Sequence, residues 1–408
     1  MEVTNNVSAW DVDVLRTKFS LALSEMYRQE VPRYGDLIQI VRDVDTAVLR
    51  AEGQRPEDLP LRNHLERHGA IRLGSEEELQ VIKRLFAIFG MHPVGYYDLQ
   101  VVKFPLSGQS LRNPWPKTHF ESLLFKWHSR SMVTIGDYNK LKQEHPLVAD
   151  IVCFPSAHIN HLTPRTLDIE YVQKEMIRRN LPAKERIEGP PVRRCPILLR
   201  QTSFKGRDEL VNFPTSTGDA VPGTHTARFG EVEQRGAAVT RKGRGLYDEL
   251  LNTASEQSSG SSRITLDEAL VNAFRAYPDT WRELQEKGLV CFRYRTSSSA
   301  HDQELRRRLI GKLHCPVPLG ELIKVGLVEY DPLTYEDFLP LSAAGIFTSN
   351  LGSQQLCEQF GESSKGLRDF ETVLRGRVVR EFDLYDEIQR VSLEQCAKEL
   401  GLGGILVD

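Results

Sequence analysis

Cysteine is sparse and unclustered: Cys153, Cys195, Cys291, Cys315, Cys357 and Cys396 are scattered through 408 residues without a Cys-x-x-Cys pair. That spacing argues against a disulfide framework and a thiolate zinc site, and free thiols packed as small hydrophobes are expected instead. Long apolar runs are missing too. No stretch approaches the roughly 18 residues of a membrane helix, and the opening Met-Glu-Val-Thr-Asn-Asn has no basic-then-apolar signal segment. Neither sign of charge is in large excess: 53 Lys and Arg against 56 Asp and Glu leave a formal net charge of -3, with the basic residues dispersed. This removes the electrostatic case for nucleic acid, and no membrane partner is expected. The expectation is a soluble, intracellular, cytoplasmic protein of ordinary globular composition, with roughly two to four structural units at about 150 residues each.

Apolar periodicity predicts a helical pair over 8–51, interrupted at Pro32. Gly74-Ser75 followed by three glutamates predicts the start of a helix carrying Leu79, Ile82, Leu85 and Ile88. Short strands are expected at 94–99 and 101–106, a polar helix at 137–145, a strand in the second half of 151–164, and an amphipathic helix over 167–180. With further strands at 196–202, in the 210s and at 223–236, the order is βαβββ. Beyond it, 243–251 reads as helix, 255–262 as a Ser/Gly-rich flexible connection, 265–274 and 279–287 as helices, and 289–295 and 323–330 as strands. A small-residue loop at 338–351 precedes helices near 367–374 and 385–400.

The chemically unusual stretch is Gly223 to Gly236. Read as one strand, its two-residue period puts His225, Phe229, Glu231, Glu233 and Arg235 on one face, where an apolar core would not choose such residues. Two histidines and one carboxylate form a facial site with open positions on a metal, which suits Fe(II) and oxygen chemistry. His68, His161 and Glu231 can supply that set from three strands. By spacing alone His158, His225 and Glu233 compete for the same places. Arg72, four residues after His68, shares its face whether the segment is extended or helical.

Four dispersed motifs narrow the choice: His-Gly-Ala-Ile-Arg-Leu-Gly at 68–74, Asn-His-Leu-Thr-Pro-Arg at 160–165, Arg-Phe-Gly-Glu-Val-Glu-Gln-Arg-Gly at 228–236 and Ser-Ala-Ala-Gly-Ile-Phe at 342–347. Together and in this order they resemble the 2-oxoadipate dioxygenase/decarboxylase (hydroxyglutarate synthase) family, from about residue 10 to the 370s. The resemblance implies an α+β fold with a vicinal-oxygen-chelate-type core, in which βαβββ modules form a curved sheet around one metal, with added helices. It implies Fe(II) held by His68, His161 and Glu231, with Arg72 on a substrate carboxylate. Leu341 and Ser342 would also touch substrate, and His225, Glu233 and Arg235 would orient the ligands. Glu231-Val-Glu-Gln-Arg235 fits the ligand run Glu-x-x-Gln-Arg of distantly similar dioxygenases with Glu231 as ligand. Phe104 to Arg112 departs from the family pattern, and bacterial members are longer between the first and second histidines.

The implied reaction takes a 2-oxo acid and O2, releases CO2 and hydroxylates the adjacent carbon, turning 2-oxoadipate into 2-hydroxyglutarate in lysine degradation. The rival readings are an oxygen-independent metal lyase or isomerase on the same fold, and a non-catalytic small-molecule-binding protein. The expected organisation is a helical scaffold at 1–60, a metal-binding βαβββ core at 61–240 and a helical insertion with the Ser/Gly-rich linker at 241–288. Strands and the substrate loop at 289–355 would complete the core, and helices at 356–408 would close the chain.

Overall fold

In the computed structural model, the structure describes residues 11–58, 68–73, 75–96, 129–144, 146–154, 158–206, 208–226, 229–260, 265–301, 317–337 and 364–407. The helical pair forms as expected. Helix α1 spans Val12–Glu30 and α2 spans Pro32–Ala51, with Pro32 in the first turn, where its missing N–H is no loss. Strand β1, His68–Arg72, leads into α3, Glu76–Ile88. Ser75 caps α3 through a capping box, with Glu78 reaching back to the Ser75 N–H.

Helices α4, Ile135–Glu144, and α5, Pro146–Cys153, precede β2, His158–Thr163, and α6, Ile169–Arg178. Strands β3, Leu199–Ser203, β4, Glu209–Pro214, β5, Ala220–His225, and β6, Glu231–Arg235, follow. The second half contains α7, Arg241–Gly260, α8, Leu266–Ala273, α9, Trp281–Glu286, and β7, Phe292–Thr296. It continues through β8, Val317–Pro318, α10, Leu319–Lys324, and β9, Val328–Pro332. Helices α11, Ser364–Leu374, and α12, Glu381–Leu400, and strand β10, Ile405–Leu406, complete it.

Three expectations are corrected. The stretch 223–236 is not one strand: β5 pairs with β4, β6 pairs with β3, and the chain breaks between them. Gly230 stands at the break, where a Cβ would come within 3.0 Å of both Leu37 and Phe204, so the entry to β6 is set by close packing. The Ser/Gly-rich run does not start as a linker, because α7 continues to Gly260. Burial of Ala254 and Ser255 against the core outweighs the weak helix propensity there. Finally, 323–324 closes α10 and Val325 caps it, so the strand expected over 323–330 begins only at Val328.

The ladders are two-stranded, and backbone bridges join them. β1 runs antiparallel to β2, and Arg165, just past β2, bridges in parallel to Glu233 of β6. β6 in turn pairs antiparallel with β3. The chain of contacts β1-β2-β6-β3 is therefore continuous. Ile159 and Leu162 of β2 and Val232 of β6 face a core built from α1, α2 and α6. In β2 an extra residue sits opposite β1, since Ala70 faces His161 while Ile71 faces Ile159. This bulge keeps Ile159 on the core side with Leu162, and leaves His161 and Thr163 together on the other face. A second core gathers α7 to α10, α12, β7 and β9, and a third, smaller one joins α4, α5 and β4.

Candidate active site

The face of β2 and β6 turned away from the α1/α2/α6 core is polar and buried. Glu231 and Glu233 are both 0% exposed and His161 only 2%. Buried charge persists only where partners replace water. For Glu231 those partners are the Thr163 hydroxyl at 3.2 Å, the Gln201 side-chain N–H at 3.2 Å and Nε2 of His161 at 3.1 Å. The His161 ring lies against Phe229, with centroids 4.7 Å apart, and the Phe229 carbonyl accepts a hydrogen bond from Tyr27.

Glu233 has stronger company. One of its oxygens lies 2.8 Å from Nδ1 of His68, and Arg235 donates to both oxygens at 2.8 Å. Arg165 adds a third contact at 3.3 Å. Burial by itself would raise this carboxyl. The His68 imidazole and the Arg235 guanidinium overcome that and hold Glu233 well below the usual carboxylate range. His68 is thereby anchored through Nδ1, and its Nε2 edge lies 3.7 Å from Glu336, which also pairs with Arg165.

Arg72 closes β1. Strand alternation places it on the same face as His68 and Ala70, and its backbone pairs with His158. Burial lowers its guanidinium from the ordinary value, and the Asp150 carboxylate, 3.8 Å away, pulls it back up. His225 turns to this arm of the site. Its Nε2 is 2.9 Å from Asp150 and its Nδ1 is 2.9 Å from the Tyr138 hydroxyl. Lys184 stands within electrostatic reach of Glu231; burial pushes its ammonium down to about 8, against the pull of Glu188 and Glu231.

Among the described residues no three His, Cys, Asp or Glu side chains are placed to hold an ion between them. The donors are hydrogen-bonded to one another instead. Their chemistry nonetheless fits a divalent cation. Glu231 is a fully buried carboxylate held by two neutral donors and an imidazole. Nδ1 of His161 is buried with no hydrogen-bond partner among the described residues. Two imidazoles and a carboxylate on one face are a donor set for such an ion.

A model of the 2-oxoadipate dioxygenase/decarboxylase family matches residues 19–122 and 117–350, well over half of the chain. The chain belongs to this family. A 2-oxoadipate dioxygenase/decarboxylase from Escherichia coli (strain K12) is 40% identical, over 97% of this chain and 99% of the relative. One from Pseudomonas putida is 38% identical over 96% and 98%. The solved structure of hydroxyglutarate synthase from Pseudomonas putida in complex with 2-oxoadipate superposes with a TM-score of 0.77 at 37% identity, covering 96% of this chain and 99% of that one. The mixed helix-and-strand fold is thus that of a known member, and a dioxygenase family points to a metal.

Within this dioxygenase/decarboxylase family member, the structure brings His161 to Glu231, His68 to Glu233, and Glu233 to Arg235. His225 is separated from β6 by the strand break and meets Asp150. Leu341 and Ser342 lie outside the described residues, as do 104–112. Thr163, Gln201, Arg165, Glu336, Asp150 and Tyr138 were not singled out by sequence reasoning. Thr163 and Arg165 stand in the His161 motif, which was a usable signal. Asp150 and Tyr138 carry no local signal.

Proposed function

We propose that this chain is a non-haem Fe(II) dioxygenase that converts 2-oxoadipate and O2 to 2-hydroxyglutarate and CO2. The observation that carries the reading is near-full-length membership of the 2-oxoadipate dioxygenase/decarboxylase family, with a solved 2-oxoadipate complex among the similar structures. The buried polar face supports it with the expected residue types. The fold is read as a vicinal-oxygen-chelate core over 61–240, completed by 289–355, in which the β1-β2-β6-β3 chain wraps the site.

His68, His161 and Glu231 would hold the iron. When bound, Fe(II) supplies open positions at which a 2-oxo acid and O2 can be activated together. The protein's part is positioning. Glu233 accepts from the Nδ1–H of His68, favouring the tautomer that offers Nε2 as a ligand, and Arg235 holds Glu233 in place. Thr163 and Gln201 orient Glu231. Arg72 grips a substrate carboxylate, a task for which a planar two-point donor is better suited than lysine. Burial of the whole face excludes water from the oxidising step. The reaction balances with one oxygen atom entering the new carboxylate left by CO2 loss and the other the hydroxyl on the neighbouring carbon. No separate 2-oxoglutarate is consumed.

The test is direct. Anaerobic protein loaded with Fe(II) and 2-oxoadipate is expected to release CO2 and form 2-hydroxyglutarate only when O2 is admitted. Product formation without O2, or an unchanged rate in Glu231→Ala, overturns the reading.

A further inference from the structure

Tyr138 on α4, Asp150 on α5 and His225 at the end of β5 come from three separate elements and meet in a buried line that ends at Arg72. Their side chains are nearly inaccessible, at 3% for Tyr138, 2% for Asp150 and 2% for His225. Around them the packing is apolar: Phe154 stacks on the His225 ring at 4.4 Å, and Phe213 lies 4.9 Å from the Tyr138 ring. Cys153, Ala149 and Val211 complete that small core. An apolar cluster of this kind gains nothing from a buried aspartate, which is costly unless each oxygen has a partner. Here one oxygen faces His225 and the other faces Arg72.

The line has a consistent direction. A Tyr138 O–H that donates to Nδ1 of His225 leaves Nε2 as the N–H that donates to Asp150. Burial pushes the Tyr138 phenol up to about 12, so its proton stays in place as a donor. Asp150 is thus fixed from behind by a hydrogen bond, while its Oδ2 stands 3.8 Å from Nε of Arg72, the range of an ion pair. A guanidinium is a rigid plane, so a fixed charge beside Nε sets where the terminal Nη fork points.

We propose that Asp150, braced by His225 and Tyr138, is a positioning residue that aims Arg72 at the substrate carboxylate and so sets selectivity for a dicarboxylic over a monocarboxylic 2-oxo acid. This rests on the reading that Arg72 binds a substrate carboxylate. It gives the α4/α5 segment, which carries none of the proposed iron ligands, a part in substrate choice.

The experiment compares 2-oxoadipate with 2-oxohexanoate, which lacks the second carboxylate, on the Fe(II)-loaded full chain. Both kcat and KM are measured for the parent and for Arg72→Ala, Asp150→Asn, Asp150→Glu and Tyr138→Phe, with iron content and melting temperature beside them. Asp150→Asn is expected to raise KM for 2-oxoadipate by roughly ten- to a hundredfold, since a displaced clamp loses its geometry. KM for 2-oxohexanoate and the iron content are expected to stay within about twofold, Asp150→Glu to recover part of the loss, and Tyr138→Phe to shift KM the same way by a smaller factor. A purely structural role predicts equal losses on both substrates, and that result overturns the proposal. If Asp150→Asn does not fold, Tyr138→Phe decides by the same ratio of KM values. If Arg72→Ala itself fails to change discrimination between the substrates, the Arg72 reading falls. If Arg72→Ala changes it and neither Asp150→Asn nor Tyr138→Phe does, only the positioning proposal falls.

Discussion

Glu231 and Glu233 lie two residues apart on one strand face and are equally buried, yet their surroundings prepare them for different tasks. Glu233 is held by two guanidiniums and an imidazole, with Arg235 on both oxygens and His68 and Arg165 on one. Glu231 has neutral donors and an imidazole. The first is therefore suited to hold a ligand in place, the second to be one. Glu233→Gln keeps the shape and removes the charge. It is expected to weaken iron retention by about 10- to 100-fold, as losing the carboxylate behind a metal-binding histidine does. It is also expected to destabilise the fold by roughly 3–5 kcal/mol, because Arg235 would remain buried against a neutral group. Iron titration and denaturant melts check the two effects separately, and unchanged iron affinity in a folded variant contradicts the assignment. By spacing Glu231 and Glu233 compete, and only the resemblance of Glu231-Val-Glu-Gln-Arg235 to the family's ligand run implies this division of labour. The place of His225 was not, because its partner Asp150 is 75 residues away in sequence.

Among elements, β1 carries the most consequence for its length, since five residues deliver both His68 and Arg72. Between them Gly69 lies hard against β2: a Cβ there would stand 2.5 Å from the His161 carbonyl oxygen and 2.8 Å from Leu162 Cδ2. Gly69→Ala is expected to cost about 1–3 kcal/mol of stability by overpacking, and to reduce activity as well by spreading β1 from β2. Ser75→Ala, at the cap of the next helix, is expected to cost about 1 kcal/mol and leave KM unchanged. Chemical denaturation with parallel kinetics separates the pair, and a Gly69→Ala enzyme with parent kinetics argues against tight β1–β2 registry as a requirement. Local signals predicted α3 well, because a capping box acts within four residues. They failed on 223–236, where two-residue alternation continues on paper across a break made by distant Phe204 and Leu37. They failed again at Ser255, which burial against the core keeps helical.

At the scale of the whole molecule, burial governs the titration of thiols and phenols. It pushes Cys153 and Cys291 up to about 12 and Cys396 to about 11. Tyr138, Tyr247 and Tyr385 are pushed up to about 12. The unfolded chain releases these protons near the ordinary values of 9.0 for a thiol and 10.0 for a phenol. Raised folded values mean that this contribution to stability is complete below about pH 9 and is lost as pH climbs toward 12. The melting temperature is expected to drop by about 5 °C or more between pH 9 and 11, and a flat profile contradicts it. At neutral pH the buried Cys153, Cys195, Cys291 and Cys396 are expected to react with a thiol reagent only as the chain unfolds. Prompt modification of any of the four, located by mass spectrometry, would count against their burial.

The sequence by itself determined the helical pair, the capped helix after β1, the free thiols among the described residues, and the motifs that carry His68, His161, Glu231 and Glu233. These follow from short-range rules: a 3.6- or two-residue period, a cap, a motif carried on one element. Tertiary structure decided which of those residues meet. It set the bulge that turns His161 and Thr163 to one side of β2, the bridge that brings Arg165 to Glu233, and the break that sends His225 to Asp150 and Arg72. Each of these joins segments tens of residues apart. Their pairing depends on how three cores fill space, which no window along the chain contains.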